Sequence, residues 1–311
     1  MTPTIDICVC TYKRPELLKR LLDSLVAQET EGEFTFVINV ADNDANGSAE
    51  ALVKTFAAAG HRIRYAIEPQ QSVSLARNKS LSLATGDYVA TTDDDLYADP
   101  CWLLSLYRAL KVHQADVVHG PVKPEFLPKT PIYIRRCRIF DRPSPPTGST
   151  ESYVFTTANS LFRRELMVGM ELPFDPKFGK TGGEDTAFFL QLQQRGCKMI
   201  WCREAVVIGP VPPQRAQLRW IIRRSFRYGN THLRQKRRTL AQWPVLFFIR
   251  QSTYAIRVLG AGLWNLWLSL FRRECFEPGV EYLMDFVLAV TFYLGILAYY
   301  GNYQYEEYRP Q

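Results

Sequence analysis

Residues 5–121 repeat one pattern: a short run of β-branched and apolar residues, then a stretch whose apolar positions recur at helical spacing. Residues 5–10 read as a buried strand. After Pro15, which suits the first turn of a helix, Leu17, Leu18, Leu21, Leu22, Leu25 and Val26 fall on one helical face. Further strands are expected at 34–41, 63–67, 88–92 and 116–120, and further helices at 48–59, 74–84 and 100–113. Parallel neighbours need crossovers of this length, so the alternation predicts a doubly wound, mostly parallel α/β sheet.

Residues 121–150, with Pro143-Ser144-Pro145-Pro146, break the pattern and predict an excursion or loop over the sheet rather than a second core. Beyond it a strand is expected at 153–157 and a helix near 161–167. A second helix opens at Gly182-Gly183-Glu184-Asp185 and runs to Arg195, and strands follow near 199–202 and 205–208. No internal repeat is present. With 311 residues, 47% of them hydrophobic and 22% charged, the chain has room for a sizeable core and is neither disordered nor collagen-like.

Ligands of a doubly wound sheet bind beyond the carboxyl ends of its strands, and three acidic groups fall there. Asp42 follows the second strand in Val40-Ala41-Asp42-Asn43-Asp44. It can accept hydrogen bonds from a base or sugar edge of a nucleotide, or serve as a turn residue, the commoner use of Asp and Asn. Asp93-Asp94-Asp95 ends the strand Tyr88-Val89-Ala90-Thr91-Thr92. Adjacent carboxylates repel, and such hard oxygen donors suit Mg²⁺ or Mn²⁺ held together with nucleotide phosphates. A solvated charge run is the plainer alternative, disfavoured by the apolar strand before it and by Leu96, Pro100 and Trp102 after it. Glu184-Asp185 opens a helix, where the dipole favours negative charge; it is either a capping device or a source of a general base. Arg77, in Ser74-Leu75-Ala76-Arg77-Asn78, can pair with a diphosphate or base, or be a solvated helix arginine.

In this order and spacing, Val9-Cys10-Thr11-Tyr12-Lys13-Arg14-Pro15, Asp42-Asn43, Leu75-Ala76-Arg77-Asn78, Ala84-Thr85-Gly86-Asp87-Tyr88, Asp93-Asp94-Asp95 and Gly183-Glu184-Asp185 resemble glycosyltransferase family 2. The resemblance covers roughly residues 4–210. Its nearest flavour is that of bacterial exopolysaccharide and lipopolysaccharide glycosyltransferases of the succinoglycan-assembly kind. It implies a GT-A fold, Rossmann-like, with a catalytic domain over 1–212, of which 1–121 bind the nucleotide and 122–212 face the acceptor. Residues 213–311, beyond the resemblance, read from their own charge and hydropathy as a basic amphipathic and apolar helical, membrane-associated region. Thr11, Asp42 and Arg77 would surround the nucleotide base and nearby groups, and Asp94 would contact the ribose. Asp93 and Asp95 would hold the divalent metal, Mg²⁺ or Mn²⁺, with Asp95 its most direct ligand. Asp185 is implied as catalytic base and Glu184 as an acceptor-site neighbour. Asn159, in Thr157-Ala158-Asn159-Ser160, matches a polar position near donor sugar or acceptor. The implied reaction is an inverting transfer from a nucleotide sugar, a UDP-sugar favoured, to a hydroxyl of a lipid-linked saccharide or polysaccharide precursor.

The net charge of +7 is unevenly spread: residues 1–200 carry −1, and from 201 onward 15 Lys and Arg face 7 Asp and Glu, a balance of +8. Nine basic residues and no acid lie between Arg215 and Arg238, with Trp220, Ile221, Ile222 and Phe226 interleaved. This basic amphipathic stretch suits an anionic membrane surface; nucleic acid is the rival partner, and a solvated helix with a core-facing stripe the plainest reading. Arg223, Arg224 or Arg227 are candidates to supplement the metal. Residues 258–271 and 286–300 are uncharged and apolar, each short of the ~20 residues of a full span. Interfacial or re-entrant helices and a short transmembrane hairpin are both open, whereas DNA binding explains none of this apolar tail. The N-terminus has no basic n-region and no apolar h-region, and seven cysteines form no CxxC pair, so the expected location is the cytoplasmic face of the cell membrane. His61, His113, His119 and His232 lack metal-ligand spacing. Two alternatives stand beside the transferase. A nucleotidyltransferase acting on sugar phosphates would want a Gly- and Lys-rich loop near the first strand. A basic nucleic-acid-binding protein would want its positive face over the first 200 residues.

Overall fold

The computed structural model describes residues 2–140, 142–150, 156–179, 181–240, 244–301, 303 and 305, with backbone alone for 232–240, 244–251 and 275. The chain opens with β1 (Thr4–Thr11), α1 (Pro15–Val26), β2 (Thr35–Asp42), α2 (Glu50–Ala58), β3 (Ile63–Ile67), α3 (Val73–Ser82) and β4 (Tyr88–Asp93). Next come β5 (Tyr97–Ala98), α4 (Trp102–Val112), β6 (Val117–His119), β7 (Val122–Glu125), α5 (Ile132–Arg135) and β8 (Asn159–Arg163). The remainder is α6 (Glu184–Gln194), β9 (Met199–Trp201), β10 (Val207–Pro210), α7 (Leu218–Leu240), α8 (Pro244–Leu268) and α9 (Phe276–Tyr300).

Seven strands form one sheet in the order β3-β2-β1-β4-β8-β6-β9. β1 pairs in parallel with β2 and β4, β2 with β3, and β6 with β9, while β8 runs antiparallel between β4 and β6. β1 is central and buried on both faces: Ile5, Ile7 and Val9 line one, and Asp6 and Cys8 are buried on the other. α1 covers one face with Leu18, Leu21, Leu22 and Leu25 at helical spacing, and Pro15 sits in its first turn. Asp6, fully buried in β1, is held by Asn39 Nδ2 at 2.8 Å, Arg64 at 3.1 Å and the Thr85 and Gly86 amides at 2.9 and 2.6 Å. It ties the turn before β4 to the sheet.

Two expectations change, and a third is left untested. The helix expected near 161–167 is instead β8 followed by a 3-10 turn, Arg164–Met167. A short apolar run reads equally well as either element, and pairing on both sides, to β4 and β6, decides for strand. The strand expected at 153–157 lies mostly outside the described residues. The Pro-rich excursion divides: residues 144–150 stay with the sheet, where Trp201 Nε1 donates to Ser144 Oγ at 3.0 Å and the Gly148 amide to the Trp201 carbonyl at 2.9 Å, whereas residues 124–143 do not. The chain forms two compact units, one from Met1–Lys123 and Ser144–Pro210, the other from Pro124–Pro143 and Val211–Glu306. Within the second unit Ile134 and Cys137 are buried against Ile221, Met284 and Leu288, so residues 124–143, expected within the catalytic domain, help build a second core.

That second unit is helical. α7 and α9 approach closely: a Cβ on Gly229 would run into the Phe292 carbonyl, and one on Gly295 into that of Phe226. Ser225 Oγ donates to the Leu288 carbonyl at 2.8 Å. α9 spans 25 residues with a mean hydropathy of 1.7 over its most apolar window, of which 17% is buried, and it is the one described helix long and apolar enough to cross a membrane. The uncharged run 286–300 is thus the end of a longer helix. The six cysteines whose side chains are described are thiols.

Candidate active site

Strand register assembles the site. Thr11 pairs with Asp42 and Cys10 with Asp93, so the ends of β1, β2 and β4 deliver their polar residues to one edge of the sheet. Beyond β4 the chain turns, with the Leu96 amide donating to the Asp93 carbonyl at 3.2 Å.

Arg77, on α3, joins two acidic motifs distant in sequence. Its guanidinium donates to Glu184 at 2.6 Å and to Asp93 at 3.0 Å. Arg77 and Glu184 are only 14% and 4% exposed. The next residue, Asn78, clamps the backbone of Phe174: its Nδ2 donates to the carbonyl at 2.8 Å and its Oδ1 accepts from the amide at 2.9 Å. The Phe174 ring lies 5.9 Å from the Arg77 guanidinium carbon. Gly182 and Gly183 then take left-handed φ values of +74° and +96°, a conformation that suits glycine. The sharp turn starts α6 with Glu184 facing inward and Asp185 half-buried at its first turn. Asp185 Oδ1 accepts from the Thr186 amide at 2.7 Å, and its Oδ2 has no hydrogen-bond partner among the described residues.

Asp94 faces the other way, accepting from Thr11 Oγ1 at 2.8 Å and from Arg14 at 3.3 Å. Burial pushes its carboxyl up to about 6, against the opposing pull of Arg14 and Thr11 and with help from Asp95 and Asp93. Asp93 is also raised, first by burial; Arg77 opposes the rise and the charges of Asp95 and Asp185 add to it. Glu184 is raised by burial too, with Arg77 opposing and Asp185 and Asp93 adding. The centre is crowded with negative charge that one guanidinium does not fully relieve.

The structure brings Thr11, Arg77, Asp93, Asp94, Glu184 and Asp185 into this arrangement and gives other work to two expected residues. Asp42 is fully buried and serves its own loop. It accepts from the Asp44 amide at 3.0 Å, Ser48 Oγ at 3.5 Å, the Ala49 amide at 2.7 Å and the Tyr65 hydroxyl at 2.9 Å. Asn159, expected beside donor or acceptor, is a structural tie. Its Oδ1 accepts from Trp102 Nε1 at 2.8 Å and its Nδ2 donates to the Pro121 and Ala205 carbonyls at 2.9 and 2.7 Å. Glu184, expected near the acceptor, turns inward to Arg77. Two contributors went unassigned from sequence: Arg14, which pairs with Asp94, and Asn78, which fixes Phe174. Both lie inside runs singled out for their motif, and nothing in the run says which side chain reaches the site.

Asp93 and Asp95 suit a hard divalent cation: the donors are all oxygens, Asp93 Oδ2 has no hydrogen-bond partner among the described residues, and a cation would relieve the repulsion that raises Asp93. No three His, Cys, Asp or Glu side chains gather into a metal cage among the described residues, so a cation here would take part of its coordination from a bound diphosphate.

The profile of Glycosyl transferase family 2 matches residues 6–168. The chain is 38% identical over 234 residues to the succinoglycan biosynthesis protein ExoM of Rhizobium meliloti, covering 73% of this chain and 74% of that protein. It is 26% identical over 243 residues to a glucosyl-dolichyl phosphate glucuronosyltransferase of Haloferax volcanii, covering 72% and 75%. Among solved structures, the mannosyltransferase PcManGT of Pyrobaculum calidifontis, in complex with GDP-Man and Mn²⁺, superposes with a TM-score of 0.61 at 16% identity over 98% of this chain and 89% of that one. Residues 1–349 of S. aureus TarS, in complex with UDP-GlcNAc, give 0.53 at 13% identity over 97% and 93%. These likenesses give the fold as GT-A. A matched profile over half the chain, a substantial identity to ExoM and a sheet whose strand ends gather the acidic motifs lead to one conclusion: the chain belongs to glycosyltransferase family 2 and is a glycosyltransferase.

Proposed function

We propose that this enzyme transfers a sugar, with inversion, from a nucleotide-sugar donor, a UDP-sugar by preference, to a hydroxyl of a lipid-linked saccharide in exopolysaccharide assembly at the cytoplasmic face of the cell membrane. The observation that carries the reading is the joining of Asp93 and Glu184-Asp185 through Arg77, which sets a half-buried carboxylate beside the acidic end of β4. Similarity to ExoM supports the polysaccharide acceptor, and the apolar α9 supports a lipid-borne one.

In this reading Thr11 and Asp94 bind the nucleoside and Arg77 holds the acidic centre in place. A divalent cation held by Asp93 and Asp95 would supply positive charge beside the departing diphosphate. Asp185 takes the acceptor's proton as the hydroxyl oxygen attacks the anomeric carbon from the face opposite the leaving group, so one bond forms as the other breaks and configuration inverts. Asp42 keeps the loop after β2 in shape for the base.

The test is turnover of a panel of UDP-, GDP- and dTDP-sugars by the full-length protein in detergent, with and without Mg²⁺ or Mn²⁺. Asp185→Asn is expected to lower transfer by ~100-fold or more while leaving donor affinity within a few-fold. Unchanged turnover in that variant would remove Asp185 as the base.

A further inference from the structure

In the helical unit, three arginines converge on one phenol. Arg142 and Arg224 donate to the Tyr228 hydroxyl oxygen at 2.9 and 3.1 Å. The guanidinium carbons of Arg224, Arg227 and Arg142 lie 5.1, 5.4 and 5.8 Å from the centre of its ring. The spacing of Trp220, Arg224, Arg227 and Tyr228 puts all four on one face of α7. Arg224 also lies 5.6 Å from the Trp220 ring centre, and that indole stacks on Phe140 at 5.8 Å. The aromatic platform restrains the guanidinium, so less conformational freedom is lost when it binds.

The field at this point favours negative charge. Burial raises the Tyr228 hydroxyl, yet Arg224, Arg142 and Arg227 together outweigh burial and bring it down to about 7. The phenolic oxygen accepts two hydrogen bonds from guanidiniums, and its own proton has no acceptor among the described residues. What converges here is a set of donors, three fork-shaped guanidiniums and a hydroxyl, whose natural complement is a group with several anionic oxygens.

We propose that Arg142, Arg224, Arg227 and Tyr228 form a binding site for the phosphate group of a lipid headgroup. The place of the cluster argues for a lipid source. Gly229, the residue after Tyr228, is where α7 meets the Phe292 carbonyl of α9, and α9 is the helix apolar enough to enter a bilayer. The inference goes beyond the transferase reading, and its test involves no sugar donor.

The measurement is binding of short-chain phosphatidic acid to the full-length protein in neutral detergent, with phosphatidylcholine of the same chain length, inorganic phosphate and UDP as parallel ligands. Phosphatidic acid is expected to bind and phosphatidylcholine not. Arg142→Gln and Arg224→Gln are each expected to weaken binding roughly tenfold, and Tyr228→Phe by less. Arg223→Gln, on the exposed side of the same helix, removes an equal charge and is expected to change nothing. Equal weakening in Arg223→Gln would reduce the effect to general charge attraction and overturn the site. Inorganic phosphate or UDP binding as tightly as phosphatidic acid, with the same sensitivity to Arg142→Gln, would reassign the site to a soluble phosphate and overturn the lipid source. Should Arg224→Gln fail to fold, the exposed Arg142 carries the comparison alone.

Discussion

Burial holds Asp94 at about 6 although Arg14 and Thr11 favour its charged form, whereas in the unfolded chain it titrates near 3.8. Between those values the unfolded chain releases a proton that the folded chain keeps. The contribution of Asp94 to stability is therefore fullest below about 3.8 and is lost as pH rises through about 6. The gap corresponds to roughly 3 kcal/mol. Asp94→Asn keeps an acceptor for Thr11 and removes the buried charge, so thermal melts are expected to show the variant above the parent at neutral pH and level with it in acid, with donor affinity reduced. A Tm advantage of equal size at both pH values would mean that the titration of Asp94 is not its source. The same residue-level physics separates what the sequence made legible from what it did not. The acids at the end of β4 stand out because an apolar strand running into three carboxylates leaves them little to do but bind. Asp42 and Asn159 have the right type in the right run, yet their work is decided by neighbours distant in sequence, Tyr65 for one and Trp102, Pro121 and Ala205 for the other. Residue type does not reveal hydrogen bonds already made.

Periodicity located most strands and helices of the sheet because each pairs a short buried run with an amphipathic cover. β8 escaped it: five residues are too few to show a period, and its place between β4 and β6 is fixed by antiparallel pairing with both. The helical unit is specified differently, by small residues where helices touch. Gly229 on α7 and Gly295 on α9 each face the other helix's backbone, with Asn230 Nδ2 donating to the Gly295 carbonyl at 3.2 Å. An added methyl at either position has nowhere to go, and overpacking of this kind costs typically ~1–3 kcal/mol. Gly229→Ala and Gly295→Ala are expected to lower the melting temperature of the detergent-solubilised protein. Gly260 in α8 has nothing within 4 Å of its would-be Cβ, so Gly260→Ala is expected to be neutral or to stabilise by up to ~1 kcal/mol. If all three behaved alike, helix propensity rather than close approach would govern the unit.

At the scale of the whole chain, the charge imbalance and the apolar segments were both visible in the sequence, whereas the length of α9 was not. Glu281 and Asp285 interrupt the apolar composition, and in the folded chain Arg136 meets Glu281 at 2.8 Å and Arg138 meets Asp285 at 2.9 Å. With those charges paired the helix continues unbroken from Phe276 to Tyr300. A core helix of a soluble protein would bury most of such a surface, but 17% of the most apolar window of α9 is buried. Trp264, Trp267 and Phe271 also expose their rings. A basic helix alone would bind a membrane electrostatically and let go in high salt; apolar helices in the hydrocarbon would not. The protein is therefore expected to stay with membranes through a high-salt wash and to leave them in detergent. Leu294 and Leu297 are 51% and 55% exposed, so replacing them costs little packing inside the protein, while an arginine in the centre of an inserted helix costs ~3 kcal/mol. The double variant Leu294→Arg, Leu297→Arg is expected to fold, yet to become extractable by salt. Release of the parent by salt would place the attachment on α7, and a double variant held as firmly as the parent would mean that this face of α9 does not meet lipid.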